Sequence, residues 1–245
     1  MNAGLEHWEI SLAAHRESPK QAPQDVAQES LTLDYAGFRR HMVERQLRAR
    51  GIQDERVLNA MLSVPREEFV PAEMRDLAYT DRPISIGEDQ TISQPYMVAS
   101  MAEALHLSGK ENVLEVGTGS GYAAAVLSRL ANFVHTLESR PALAATAAER
   151  LTRLGFANIS VHISDGSLGF SEAAPYDAIV VAAAAPAVPQ PLVDQLAEGG
   201  RLVIPVGTGE LQDLTLVQRR DGAIHSTVLY QCRFVPLTGR HGFPA

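Results

Sequence analysis

Ten residues, Val113 to Tyr122 (VLEVGTGSGY), constrain the fold more than any other stretch, because they read as a buried strand running directly into a glycine-rich turn and a helix. Val113, Leu114 and Val116 suit the centre of a parallel sheet, where both faces are covered and strands look continuously apolar. Gly117, Gly119 and Gly121 supply positive φ angles and bare backbone, so a ligand can approach main-chain N–H groups at a helix N-terminus. A simple strand-to-helix connection needs one glycine; three alternating glycines point to a ligand site.

Downstream, strand-like and helix-like segments alternate. Strands are expected near residues 112–116, 133–137, 159–163, 177–183 and 201–206, with helices near 120–130, 141–154 and 189–198. Such alternation implies right-handed βαβ crossovers and an α/β fold with a doubly wound, mostly parallel sheet. Leu214 to Val235 alternates around Asp221-Gly222 and predicts a C-terminal antiparallel strand pair. Upstream, Phe38, Met42, Val43, Leu47 and then Val57, Leu58, Met61, Leu62 recur at three- and four-residue steps, which predicts N-terminal helices separated at Gly51. Arg82 to Met97 reads as a loop, followed by a helix from about Val98 to Leu107. Residues 1–37 are expected to form a flexible extension ahead of a domain spanning 38–243, with helices and a substrate loop in 38–97 and a cofactor-binding core with C-terminal strands in 98–243.

Composition narrows the function. A net charge of −8 argues against a binder of phosphate backbones, so no nucleic-acid partner is expected. Cys232 is the only cysteine, which excludes an intrachain disulfide, a thiolate zinc site and a CxxC pair, and no metal is expected. The longest apolar run, Ala178 to Ala185, is too short for a membrane span, and the charged N-terminus lacks the apolar core of a secretory signal. A soluble, cytoplasmic monomer without a membrane partner is the expectation.

Dinucleotides and S-adenosylmethionine compete for such a glycine loop, and both require an acid at the end of the second strand to grip ribose hydroxyls. Glu138 is that acid, close to the spacing of about 20 residues seen in such folds. Spacing leaves the contest open, since Gly119, Gly121 and Ala124 also fit G-x-G-x-x-A. The missing catalytic groups say more. Neither Lys20 nor Lys110 has a tyrosine four residues before it, so a Tyr-x-x-x-Lys dehydrogenase pair is excluded. No P-loop, G-x-S-x-G elbow or H-E-x-x-H motif occurs. Asp165-Gly166, just past the third strand, is a further candidate contact, to an adenine amino group.

The segments QTISQPYM (Gln90 to Met97), VLEVGTGSGY, VPREEFVP (Val64 to Pro71), GGRLVIPVG (Gly199 to Gly207) and RFVPL (Arg233 to Leu237) together resemble the protein-L-isoaspartate O-methyltransferase family. The glycine loop is shared by many methyltransferases, whereas the Thr-Ile-Ser-Gln-Pro segment and RFVPL are more specific. The resemblance implies a Rossmann-like fold that binds S-adenosylmethionine and methylates the free α-carboxylate of L-isoaspartyl residues in damaged proteins and peptides. It implies Ser93 as the active-site hydroxyl with Thr91 beside it, and the backbone of Val235 closing over the substrate carboxylate. Glu138 would bind ribose, Asp165 and Gly166 the adenine end, and Gly117 with Gly119 the methionine part, over a loop organised by Glu115. Ser164, Ala123 and Ala187 depart from the common pattern without removing a proposed contact.

The chemistry agrees with this reading. An α-carboxylate with a pKa of about 3.5 is ionised at neutral pH and needs no general base. Two rivals stand beside it: a carboxyl methyltransferase for a dedicated peptide or small acid, and a non-catalytic cofactor-binding module.

Overall fold

The computed structural model describes residues 33–244. Of the expected extension at 1–37, residues 1–32 lie outside the described residues. Helix α1 (Tyr35–His41) is capped by Asp34, whose Oδ1 accepts the Gly37 N–H at 2.8 Å. The helical path continues through a π turn (Met42–Leu47) and a 3₁₀ turn (Arg48–Arg50), then stops at Gly51, whose φ is +99°. Asp54 caps α2 (Glu55–Ser63). Met42, Val43, Leu47, Val57, Leu58 and Met61 are buried, so the spacing legible in the sequence is the packing face.

The expected loop at 82–97 is a hairpin followed by a helix. Strands β1 (Ile84–Gly87) and β2 (Gln90–Ile92) pair antiparallel, with Ile84 opposite Ile92 and both buried. Glu88 and Asp89 make the two-residue turn with φ of +53° and +55°. Hairpin turns of this kind usually place Asn or Gly at left-handed positions, so the residues here hide the turn. Helix α3 (Pro95–Leu105) starts at Pro95, earlier than expected, because proline suits the first helical turn.

The core follows: β3 (Asn112–Val116), α4 (Tyr122–Ser128), β4 (Phe133–Glu138), α5 (Pro141–Arg153), β5 (Ile159–Ile163), β6 (Tyr176–Val181), α6 (Gln190–Asp194), β7 (Leu196–Val206), β8 (Gln212–Arg220) and β9 (Ala223–Cys232). Helix α6 is shorter than the expected 189–198. Gln195 gives its carbonyl to the Tyr176 N–H at 2.8 Å, which draws the chain into β7. The sheet order is β5-β4-β3-β6-β7-β8-β9, parallel from β5 to β7 and antiparallel for the last two pairs. This is the doubly wound, mostly parallel sheet with a terminal antiparallel pair that the sequence predicts.

Val113, Val134, Ala178 and Val203 pack into one apolar cluster with the N-terminal helices, α3 and α4; Leu114, Leu137, Ile179 and Leu202 pack into a second on the opposite face. Residues of opposite parity along each strand thus serve opposite layers. The chain leaves β3 toward β4 on one side and reaches β6 on the other. Their carboxyl ends therefore open a crevice at the switch point, where α/β sheets bind ligands.

Candidate active site

The glycine loop lies at that crevice. The N–H groups of Gly117 and Thr118 both donate to the Leu137 carbonyl, at 2.9 and 3.1 Å, which straps the loop to the neighbouring strand. Gly117 and Gly121 have φ of +98° and +88°, a conformation that costs little only for glycine.

Beneath the loop Glu115 is completely buried, opposite Thr136 in the sheet register. Thr136 Oγ1 donates to Glu115 Oε2 at 2.5 Å, and Thr118 Oγ1 lies 2.7 Å from Thr136 Oγ1. Two hydroxyls therefore join the loop to the buried carboxyl, whose Oε1 has no partner. Burial pushes the Glu115 pKa up to about 8; the Thr136 bond opposes that rise and the nearby Glu138 adds to it.

Glu138 ends β4 and is only 5% exposed. Its Oε2 accepts the Gly119 N–H at 2.9 Å, and its Oε1 accepts the Arg140 N–H at 3.1 Å. Asp165 is placed differently. Its Oδ1 accepts from the Ser167 N–H and hydroxyl at 3.0 and 2.7 Å, and its Oδ2 accepts the Arg240 N–H at 2.8 Å. Burial would raise its pKa, but these hydrogen bonds outweigh it and hold the carboxyl below its ordinary value. The side chain thus anchors the C-terminal segment, while Gly166 faces the crevice.

Thr91, Ser93, Gly117, Gly119, Glu138, Gly166 and Val235 line one cleft, whereas Glu115 and Asp165 are not among its lining residues. Thr91 projects from β2 and Ser93 follows it, on the link into α3. The C-terminal segment is seated on the sheet by Ala184, whose N–H donates to the Val235 carbonyl at 2.8 Å and whose carbonyl accepts the Leu237 N–H at 2.7 Å. A second cavity lies on the far side of Thr91, Ser93, Ala182 and Val235 and is walled by Arg50, Tyr96, Met97, Tyr230 and Phe234. Those first four residues line both cavities and so stand at the partition between them.

Sequence reasoning missed several parts. The Thr118–Thr136 relay depends on cross-strand register. The small wall at Ala182 and Ala183 was legible only as an absence of polar groups. Arg66, inside VPREEFVP, is fully buried, a placement that no periodicity assigns to a charged side chain.

The family model for protein-L-isoaspartate(D-aspartate) O-methyltransferase matches residues 38–242. The chain belongs to that family. Among its relatives, protein-L-isoaspartate O-methyltransferase 2 of Marinobacter nauticus is 56% identical over 213 residues, covering 86% of this chain and 97% of the relative. The enzyme of Roseiflexus castenholzii is 53% identical over 211 residues, covering 86% and 96%. A Plasmodium falciparum structure of this family, in complex with S-adenosyl-L-homocysteine, superposes with a TM-score of 0.70 at 29% identity, covering 82% of this chain and 98% of that one. Among the described residues no helix is long and apolar enough to cross a membrane.

Proposed function

We propose that this chain methylates the free α-carboxylate of L-isoaspartyl residues in damaged proteins, at the partition where Thr91, Ser93 and Val235 separate two cavities. That partition is the observation that carries the reading, because a methyl donor and a carboxylate must meet across a narrow gap from opposite sides.

The first cavity fits S-adenosylmethionine by its donors and acceptors. A buried carboxylate at a strand end, Glu138, matches vicinal ribose hydroxyls, which donate. Gly117 and Gly119 offer backbone approach to the methionine part, and Gly166 stands at the adenine end with Asp165 bracing the turn behind it. When bound, S-adenosylmethionine supplies an activated methyl group.

The protein supplies alignment. Hydroxyls of Thr91 and Ser93 orient the substrate carboxylate as hydrogen-bond donors without adding a charge that would compete for it. No general base is needed, since the carboxylate is already ionised. The walls of Ala182, Val235 and Leu237 keep the reacting atoms from water. The product ester then closes to a succinimide as the neighbouring backbone nitrogen displaces methanol. A cytoplasmic location accords with the single, buried Cys232.

The test is label transfer from S-adenosylmethionine to an isoaspartyl peptide and to its aspartyl twin. Labelling of the first alone is expected. Equal labelling of both, or of neither, would overturn the reading.

A further inference from the structure

Arg66 is completely buried, yet among the described residues it makes no ion pair. Its donors go to main-chain carbonyls: Nε to Ala78 at 2.7 Å and Nη2 to Ser93 at 2.8 Å. Its guanidinium lies 4.7 Å from the ring centroid of Tyr122, the first residue of α4 after the glycine loop, and Nη1 has no partner. The neighbouring Glu67 is taken by Arg39 and Tyr79 instead. A buried guanidinium without a carboxylate is costly, and an apolar side chain would fill a core position at lower cost. What the cation gains is its set of contacts. It holds the backbone of the residue bearing the proposed active-site hydroxyl, and it rests on the ring that opens the helix after the cofactor loop.

The link at Ser93 and Gln94 joins β2 to α3. Arg66 binds the Ser93 carbonyl on one side of it, and on the other the Tyr96 N–H donates to Asp81 Oδ1 at 3.1 Å. Both anchors come from the segment 66–81, outside the parallel sheet. We infer that Arg66 is a positioning residue that fixes the Ser93 backbone against the cofactor loop, so that hydroxyl and methyl donor are aligned before substrate arrives. This rests on the proposed reaction at the partition. Arg66 itself touches no reacting group.

The experiment compares wild type with Arg66→Lys and Arg66→Gln, the second removing the buried charge in case lysine is not accommodated. For the folded fraction of either variant, kcat on an isoaspartyl peptide is expected to fall by about 10- to 100-fold, the scale of an ångström-level misplacement. The dissociation constant of S-adenosylhomocysteine should change by less than about threefold, a split expected of misalignment. Peptide-level hydrogen exchange should accelerate across 90–97 and not in β3 or β4, a readout independent of turnover. Millimolar guanidinium should restore part of kcat to Arg66→Gln. Unchanged kcat, an affinity loss as large as the kcat loss, unaltered exchange at 90–97, or failure of both variants to fold would each overturn the positioning role. Wild type inactive on isoaspartyl peptide would instead overturn the proposed reaction, and the exchange data would still judge Arg66.

Discussion

Glu138 and Gly119 hold one another: the carboxylate at the end of β4 accepts the loop N–H at 2.9 Å while almost fully buried. The group read as the ribose acceptor is therefore also a clasp on the loop that would carry the methionine part. Organisation of the cleft and affinity for its occupant are linked through one side chain.

Glu138→Gln should weaken binding of S-adenosylhomocysteine by about 10- to 100-fold, since a hydrogen bond to a charged group contributes about 1.5–3 kcal/mol. Titration calorimetry at constant ionic strength measures it. Affinity within twofold of wild type would remove Glu138 from the cofactor site.

Ser93→Ala should slow methyl transfer by roughly 5- to 150-fold, equivalent to about 1–3 kcal/mol for one oriented hydrogen bond. Binding of S-adenosylhomocysteine should be retained. Single-turnover kinetics with an isoaspartyl peptide give the answer, and an unchanged rate would exclude the hydroxyl from alignment.

Glu115 makes stability depend on pH. Burial raises its folded-state pKa to about 8, above its ordinary value, so the folded protein binds this proton more tightly than the unfolded chain does. Its contribution is fully present below the unfolded pKa, declines as pH rises, and is lost once pH passes about 8. Glu115→Gln keeps an acceptor for Thr136 and carries no charge to bury. Relative to wild type it should gain stability from pH 5 to pH 9 by about 4 kcal/mol, since wild type loses about 1.4 kcal/mol per pH unit until pH reaches the folded-state value of about 8. Urea denaturation midpoints at the two pH values test this, and parallel pH profiles for the two proteins would refute it.

Much of the architecture was legible because it rests on local pattern. VLEVGTGSGY announced a parallel strand and a ligand loop, and the five parallel strands and terminal antiparallel pair fall close to where the alternation predicts them. The misses have physical causes. The hairpin at Ile84–Ile92 escaped notice because Glu88 and Asp89 adopt left-handed φ without glycine, held by the burial of Ile84 and Ile92. Helix α6 lost its last turn to strand pairing with Tyr176, a contact invisible in a propensity count.

The proposed site divides the same way. By itself the sequence determined the chemical inventory: three loop glycines, an acid at the end of the second strand, paired hydroxyls in QTISQPYM, and no group suited to hydride transfer. Residue types and short spacings carry that information, since strand and helix periods are local. Only tertiary structure decided that Thr91, Ser93 and Val235 share the wall between two cavities, and that Asp165 grips the C-terminal segment and leaves Gly166 to face the cleft. A Cβ at Gly166 would approach Val116 Cγ1 to 2.4 Å, so that glycine serves a close packing contact as well as a turn. Tertiary structure also decided that Arg66 is a buried cation behind Ser93. These facts depend on register and on contacts between distant segments, where burial, and not composition, sets what a carboxylate or guanidinium can do.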